Sequence, residues 1–443
     1  MRLMKFGGTS VGDPDRIATL CDIVSGALAR KPVVVVSAAS KVTDMLLTAV
    51  KRAREGVVEM DAIEERVVGL VAAFDLDRAL IAAEIDGLRA ALDSIAARRD
   101  ATPGDVDLVA SHGERISVRG VAAALRRAGV DAVACDAWDI GLRTDATFGA
   151  AEPLPESEAA VGERVSALVS EGKVPVITGF IGKTADGRVT TLGRGGSDYS
   201  AAIVGAAVGA DEIEIWTDVP GVMSADPRVA PGARTIPELS FNEAAELAYF
   251  GAKVLHPKTI HPAVKRGIPV RVKNTFDPDH PGTVITAKGD SGARGARAIA
   301  HKRGISVVNV VSTRMLLAHG FLEKIVHVFA KHRVVVDLVS TSEVSVSCTV
   351  DRAEGLDPAL AELRAYGEVS VSHHHALVCV VAAGILRDPT VCARVFAALG
   401  REGIPTQLLS MGASAINLSM VVPDERCDAA VRALHDDLFG ARA

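Results

Sequence analysis

The sequence predicts an α/β protein, a three-layer α/β/α sandwich followed by two ferredoxin-like βαββαβ units. Three observations carry that expectation. From Leu3 to about Thr286, short β-branched runs (Val33 to Val36, Val174 to Ile177, Glu212 to Trp216, Val270 to Val272) alternate with helical stretches. Runs that are apolar on both faces belong to a mainly parallel sheet covered by helices on each side. Lys288 to Gly295 is polar, glycine-rich and without periodicity, so it marks the boundary. Beyond it, Val335 to Ser340 and Thr406 to Ser410 each precede a second strand, Val344 to Val350 and Ala415 to Val422. That repeat of about 70 residues reads as two copies of one unit.

The elements follow in order. Leu3 and Met4 open a strand that runs into Lys5-Phe6-Gly7-Gly8-Thr9-Ser10 and then a helix from about Pro14 to Ala29. A strand, a glycine turn and a helix N-terminus present N–H groups to phosphate oxygens, and Lys5 adds a charge. Neither nucleotide fingerprint is matched, so a solvated strand-end lysine is the plain alternative. Between about Thr43 and Ala101, dense Ala, Leu, Glu and Arg predict a helical hairpin inserted near the mouth of the site. Thr217 and Asp218 close the strand Ile213 to Trp216, and open α/β sheets bind ligands at the carboxyl ends of their strands.

The most informative stretch is Gly193-Arg194-Gly195-Gly196-Ser197-Asp198, an unpaired cation and an unpaired carboxylate among residues without side chains. Glycine admits close backbone approach and positive φ. Arg194 can grip a carboxylate in two prongs, and Asp198 can answer an ammonium. Those are the two ends of an amino acid. The bland alternative is a surface turn with a structural ion pair.

Composition narrows the class. With 443 residues and 49% hydrophobic content the chain can fill two or three domains. A net charge of −6 gives no global attraction to nucleic acid or anionic lipid, so neither partner is expected. No apolar run approaches the roughly 18 residues of a membrane span, and no signal-like leader opens the sequence, so a cytoplasmic protein is expected. Cys21, Cys135, Cys348, Cys379, Cys392 and Cys427 stand singly and read as free thiols, without the close pairs of a zinc site. His373, His374 and His375 alternate faces if extended and read as a linker or edge between the two similar units.

The segments Lys5 to Ser10, Ser111-His112-Gly113-Glu114, Thr190 to Asp198, Trp216 to Gly221 and Phe250 to Pro257 resemble, in order, the signatures of the aspartate kinases of the amino-acid kinase family. The likeness covers essentially the whole chain. Gly320-Phe321-Leu322 and Thr341 to Val346 are similar to the monofunctional, lysine-sensitive branch. The resemblance implies a catalytic domain over 1–290 and a regulatory region over 296–443 with two ACT subdomains, about 305–372 and 374–443, with the strand 296–301 as a candidate addition to the latter. It also implies ATP with Mg2+ as cofactors, L-aspartate as acceptor, L-lysine as effector, and a homodimer or dimer of dimers.

Site residues follow from the same likeness. Nucleotide contacts are implied for Lys5, Gly7, Gly8, Thr217, Asp218, Arg228 and Lys253, and aspartate contacts for Ser37, Thr43, Glu114, Phe180, Arg194, Ser197 and Asp198. Lys5, Arg194, Asp198 and Lys253 carry catalysis. The effector is implied to meet Met315, Ala318, Gly320, Phe321, Leu322, Asp337 and Glu343. Lys41, Asp44 and Met223 depart from the family, which usually has Gly, Asn and often Tyr there. Glu114 also reads as a helix N-terminal acid, Phe180 as core, and Asp337 and Glu343 as ordinary strand-end acids. A glutamate or N-acetylglutamate kinase, and a non-catalytic amino-acid sensor, are the competing readings.

Overall fold

The computed structural model describes all residues except 75, 251–256, 291–294, 317–318, 352–354, 386–387, 412–415 and 441–443. The chain divides into two compact units: Met1–Val222 with Pro237–Phe241 and Val254–Gly289, and Met223–Ile236 with Asn242–Lys253 and Asp290–Ala443.

In the first unit the strands are β1 (Arg2–Phe6), β2 (Pro32–Val36), β3 (Ala132–Cys135), β4 (Arg143–Thr144), β5 (Val174–Thr178), β6 (Ile181–Thr184), β7 (Val189–Thr191), β8 (Glu212–Thr217), β9 (Glu238–Ser240), β10 (Val270–Asn274) and β11 (Thr283–Thr286). The helices are α1 (Pro14–Gly26), α2 (Val42–Arg54), α3 (Asp61–Ala72), α4 (Ala79–Arg98), α5 (Pro103–Arg127), α6 (Ser157–Ser170) and α7 (Gly196–Ala207), with α8 (Phe241–Tyr249) leading into the second unit and α9 (Pro257–Arg266) in the first.

The main sheet has the order β3-β5-β2-β1-β8-β10-β11-β9, and its pairs from β3 to β10 are parallel. Successive side chains alternate faces. Met4, Phe6, Val34 and Val36 join Leu20, Leu46, Leu88 and Leu125 of α1, α2, α4 and α5 in one core. The opposite face meets α7, where a Cβ on Gly205 would lie 2.6 Å from Ile213 Cδ1. Helices therefore cover both faces, and the expected sandwich forms. A small sheet, β4-β6-β7, stands apart.

The stretch expected as a hairpin is instead three helices, α2, α3 and α4. Gly56, at φ +88°, lies just past the end of α2, and a second break follows Ala73. Uniform helix-former composition hid both stops.

In the second unit β12 (Gly295–Val311), β13 (Val336–Thr341), β14 (Ser345–Asp351), β15 (Glu368–Ala383), β16 (Leu409–Ser410) and β17 (Asn417–Pro423) form one sheet, β13-β14-β12-β15-β17-β16. The long strands β12 and β15 pair antiparallel along their length, with register shifts near Ile305. One half adds α10 (Phe321–Lys331) and α11 (Leu356–Leu363), around Ile325, Phe329 and Leu363. The other adds α12 (Pro389–Arg401) and α13 (Cys427–Phe439), around Val395, Leu399 and Leu434. Residues 298–302 pair with the β15 residues, 377–381, that also pair with β17, so that stretch shares the sheet of the second half.

The three histidines lie inside β15, an interior strand, not at a linker or edge. His373 Nδ1 is 2.8 Å from Ser306 Oγ, His375 Nε2 is 2.7 Å from Ser372 Oγ, and His374 has φ +63°. They mark the bulge between the halves, where alternation breaks as it would in a loop. The six cysteines are free thiols. Cys427 does lie with His301 and Asp428, their ligand atoms within 4.8 Å of one another, yet Arg303 already pairs with Asp428 at 2.5 Å. Among the described residues no helix is long and apolar enough to cross a membrane.

Gly162 of α6 lets α7 come close, since a Cβ there would meet the Ala207 carbonyl oxygen at 2.6 Å. Gly162→Ala is expected to destabilise the protein by about 1–3 kcal/mol, despite a helix-propensity gain of up to about 1 kcal/mol. Denaturant unfolding checks this, and an unchanged midpoint would mean the helices separate freely.

Candidate active site

The parallel pairing levels the carboxyl ends of the strands. Phe6 sits opposite both Val36 and Trp216, Val36 opposite Thr178, and Thr217 opposite Asn274. At that edge lies a cavity of about 530 Å³ whose lining includes Lys5, Gly8, Ser37, Thr43, Glu114, Phe180, Arg194, Ser197 and Asp198. Sequence segments almost 200 residues apart thus meet at one place.

The glycine-rich hexapeptide forms the turn into α7. Gly195, at φ +69°, precedes the helix, and the first turn carries no side-chain cap. Gly193 has φ +79°, and a Cβ there would lie 2.9 Å from the Gly149 carbonyl oxygen, so only glycine fits. Arg194 is exposed to the cavity, and its guanidinium has no hydrogen-bond or ion-pair partner among the described residues. Asp198 differs from expectation. Its Oδ1 lies 2.7 Å from Lys5 Nζ, with side chains only 15% and 10% exposed, so the carboxylate already has a cation. The oxygen falls outside hydrogen-bond alignment, so the contact is an ion pair. Sequence reading missed it because the partners are 193 positions apart.

Glu114 is not a helix N-terminal acid; it sits in the middle of α5. Gly113 lets the helix press on the turn after β2, since a Cβ there would be 2.8 Å from Ala38 Cβ. The Ala38 N–H then donates to Glu114 Oε1 at 3.1 Å, while Oε2 is buried without a partner. Burial pushes the carboxyl up to about 8, against the opposing pull of that N–H. Phe180 lines the cavity with its backbone at φ +67°, held by its N–H donating to Ser200 Oγ at 2.9 Å. Lys41 also has a positive φ, +71°, the conformation that glycine adopts without strain.

Some of the groups expected to face phosphate are already engaged within the chain. The Gly7 N–H is spent on the Trp216 carbonyl at 3.1 Å, which ties the ends of β1 and β8 together. Gly7 therefore offers space, not a donor. The α1 N-terminus is already capped, the Asp13 carboxylate accepting from the Arg16 N–H at 3.1 Å. Thr217 and Asp218 stand at the carboxyl end of β8, the Thr217 hydroxyl donating to Asp218 at 3.2 Å. Arg228 belongs to the second unit and is exposed, with its guanidinium on Asp226 at 2.6 Å. Lys253 lies outside the described residues.

In the second unit, Met315 is half-buried, Gly320 takes φ +74° before α10, Phe321 is buried and Leu322 exposed. Ala318 lies outside the described residues. Asp337 is not an open acid: Lys302 Nζ is 3.0 Å from it and the Tyr249 hydroxyl donates to it at 2.8 Å. Glu343 is exposed in the turn after β13.

Among the buried carboxylates of the first unit, Glu84 and Asp107 escaped the sequence reading. Glu84 of α4 takes Arg115 and Arg119 of α5 at 2.9 and 3.0 Å, holding the inserted helices onto α5. Asp107, also on α5, receives three hydrogen bonds from the cavity wall. Its only sequence signal is its place seven residues before Glu114, two helical turns and therefore the same face.

Comparison with known proteins follows the same outline. Residues 1–274 match the amino acid kinase family and residues 378–438 the ACT domain. Aspartokinase 3, chloroplastic, of Arabidopsis thaliana is 39% identical, over 99% of this chain and 81% of its own. Lysine-sensitive aspartokinase 3 of Escherichia coli is 37% identical, over 98% of each chain. The crystal structure of E. coli aspartokinase III with aspartate and ADP superposes with a TM-score of 0.84, at 35% identity over 99% of this chain and 100% of that one. Its complex with lysine and aspartate, the T-state, gives 0.81, at 35% identity and 99% of each chain.

Folded, Glu114 keeps its proton up to about pH 8; unfolded, it releases it near 4.5. The folded state then binds the extra proton between those values, so stability is lost as pH rises through that window. Glu114→Gln carries no such proton. The stability of the variant relative to the parent is expected to grow from pH 4.5 to about 8 and then level off. Denaturant midpoints across pH measure it, and a pH-independent difference would show that the carboxyl is not held neutral.

Proposed function

The chain belongs to the amino acid kinase family, among its aspartokinases, and from that membership we propose the reaction of the cavity. The γ-phosphoryl of ATP passes to the side-chain carboxylate of L-aspartate, giving 4-phospho-L-aspartate and ADP, the first step of the aspartate-derived amino acids. The observation that carries the reading is the pairing of opposites across one cavity. Arg194 offers an uncommitted cation to a carboxylate, and Glu114 an unpartnered oxygen to an ammonium.

The chemistry asks for no general base, because a carboxylate with an ordinary pKa near 3.9 is already ionised. Rate comes from alignment and from neutralising charge on the transferred group. Lys5 supplies a buried ammonium, and the uncapped first turn of α7 supplies N–H groups and the positive helix end. Mg2+ arrives with the nucleotide as part of the substrate, held mainly by phosphate oxygens and water. Thr217 and Asp218 suit the nucleoside side, with Lys253 and Arg228 as further nucleotide contacts by family likeness. The aspartate α-ammonium draws the proton off Glu114, so aspartate binds better as pH rises toward 8.

For regulation we propose L-lysine, in keeping with the lysine-sensitive relative, at Met315, Ala318, Gly320, Phe321, Leu322, Asp337 and Glu343. Because Lys302 already holds Asp337, an incoming ammonium competes with an internal one. Exposed Leu322, Val326, Val335 and Val339, on α10 and the edge strand β13 with its approach, favour a homodimer or dimer of dimers.

ADP release with aspartate, glutamate and N-acetylglutamate tests the reaction: aspartate is expected to be the acceptor, and no turnover with any would leave a sensor. Arg194→Lys loses the forked grip. KM for aspartate is expected to rise at least about tenfold, or about 1.4 kcal/mol, while KM for ATP holds. A rise for ATP alone would mean the loops serve the other substrate.

Lysine is expected to inhibit, and Glu343→Ala to raise the half-inhibitory concentration about tenfold or more without changing uninhibited turnover. Inhibition by threonine and not lysine overturns the effector assignment and leaves the kinase standing.

A further inference from the structure

Asp107 is a buried carboxylate that touches neither proposed substrate contact and yet joins the walls that carry both. It is 3% exposed. Its Oδ2 accepts from the Gly149 N–H at 2.9 Å and the Thr191 N–H at 2.8 Å, and its Oδ1 from the Thr191 hydroxyl at 2.9 Å. Both donors' residues line the cavity. The wall closes on itself, with the Ala151 N–H donating to the Thr191 carbonyl at 2.9 Å. Thr191 precedes Arg194 by three residues; Asp107 precedes Glu114 by seven, about 10 Å along the same helix.

Desolvating a carboxylate is costly unless its oxygens are filled. Among the described residues no cation contacts Asp107, and all its bonds run to the wall. A residue needed only to fill space between helix and loop would be apolar. We propose that Asp107 is a positioning residue, which fixes the span between the ammonium-binding Glu114 and the carboxylate-binding Arg194 and thereby selects the chain length of the acceptor amino acid. This rests on the acceptor reading given above. Aspartate and glutamate differ by one methylene, a difference worth tenfold or more only if the span cannot relax.

The test starts with the parent enzyme and its acceptor panel; a parent that prefers another acceptor overturns the reaction, and with it the acceptor named here, before any variant is made. With aspartate established, Asp107→Ala is expected to raise KM for aspartate tenfold or more, leave KM for ATP within twofold, and lower the preference for aspartate over glutamate at least fivefold in kcat/KM. Asp107→Asn, which keeps an acceptor for the two N–H groups, is expected to recover most of the preference. A folded Asp107→Ala that melts lower but keeps both KM and preference is a mere tether and overturns the proposal, as does an equal rise in KM for ATP. Thr191→Val removes one of the three bonds without touching the backbone pair. If Asp107→Ala does not fold, Thr191→Val is expected to lower the preference about threefold, and an unchanged preference overturns the proposal.

Discussion

The register of β1 is the constraint on which the catalytic unit depends. It lies between two parallel neighbours, with Phe6 level with Val36 on one side and Trp216 on the other. Phe6 and Trp216 stack with ring centroids 5.8 Å apart and close the apolar face shared with α1, α2 and α5. Alternation then leaves Lys5 only the other face, where α7 begins and Asp198 waits. A slip of one residue would put the ammonium into the core and the phenyl ring against a carboxylate. The apolar contacts of Met4 and Phe6 therefore aim the lysine.

The charges at that edge are handled in three ways, and each has a different consequence. Lys5 and Asp198 are nearly buried and neutralise each other, which makes them costly to separate and hard to move. Arg194 stays in water, so it needs no partner when the cavity is empty. Glu114 has neither water nor a cation and holds a proton up to about pH 8. In the reaction proposed for this cavity, a zwitterion would satisfy the last two at once, one end on the guanidinium and the other replacing the proton. A neutral or purely anionic molecule of the same size would leave Glu114 as it is.

The sheet was legible because strands buried on both faces must be apolar at every position, as Val33 to Val36 are. The glycine turn into α7 was legible because Gly193 combines a positive φ with a close backbone approach that a side chain would block. Arg194, Ser197 and Asp198 could be grouped because they are neighbours in sequence. What sequence could not supply was pairing at a distance. The Lys5–Asp198 pair, the Gly7 N–H on Trp216, and Lys302 with Tyr249 on Asp337 each join segments that carry no local mark of the other. The three helices read as a hairpin fail for a related reason: helix formers propose helix, and only tertiary packing decides where it stops. The bulge at His373 to His375 reads as a loop until β12 is laid beside it.

The wall that bears Arg194 gains little from the main sheet. It hangs from β7 in the small β4-β6-β7 sheet, and its contacts with the rest of the unit include a few hydrogen bonds to side chains: two from Thr191 and one from Gly149 to Asp107, and one from the Phe180 N–H to Ser200. Net stabilisation from one such bond is modest, about 1 kcal/mol, but leaving its buried partner unfilled costs more. Such bonds act as stops: they add little to overall stability and sharply penalise displacement. A site that must distinguish acids one methylene apart needs its two ends held to about half an ångström. Discrimination of that kind is set by the buried polar atoms behind the cavity as much as by the side chains that face into it, since a perfect grip on a loose wall selects nothing.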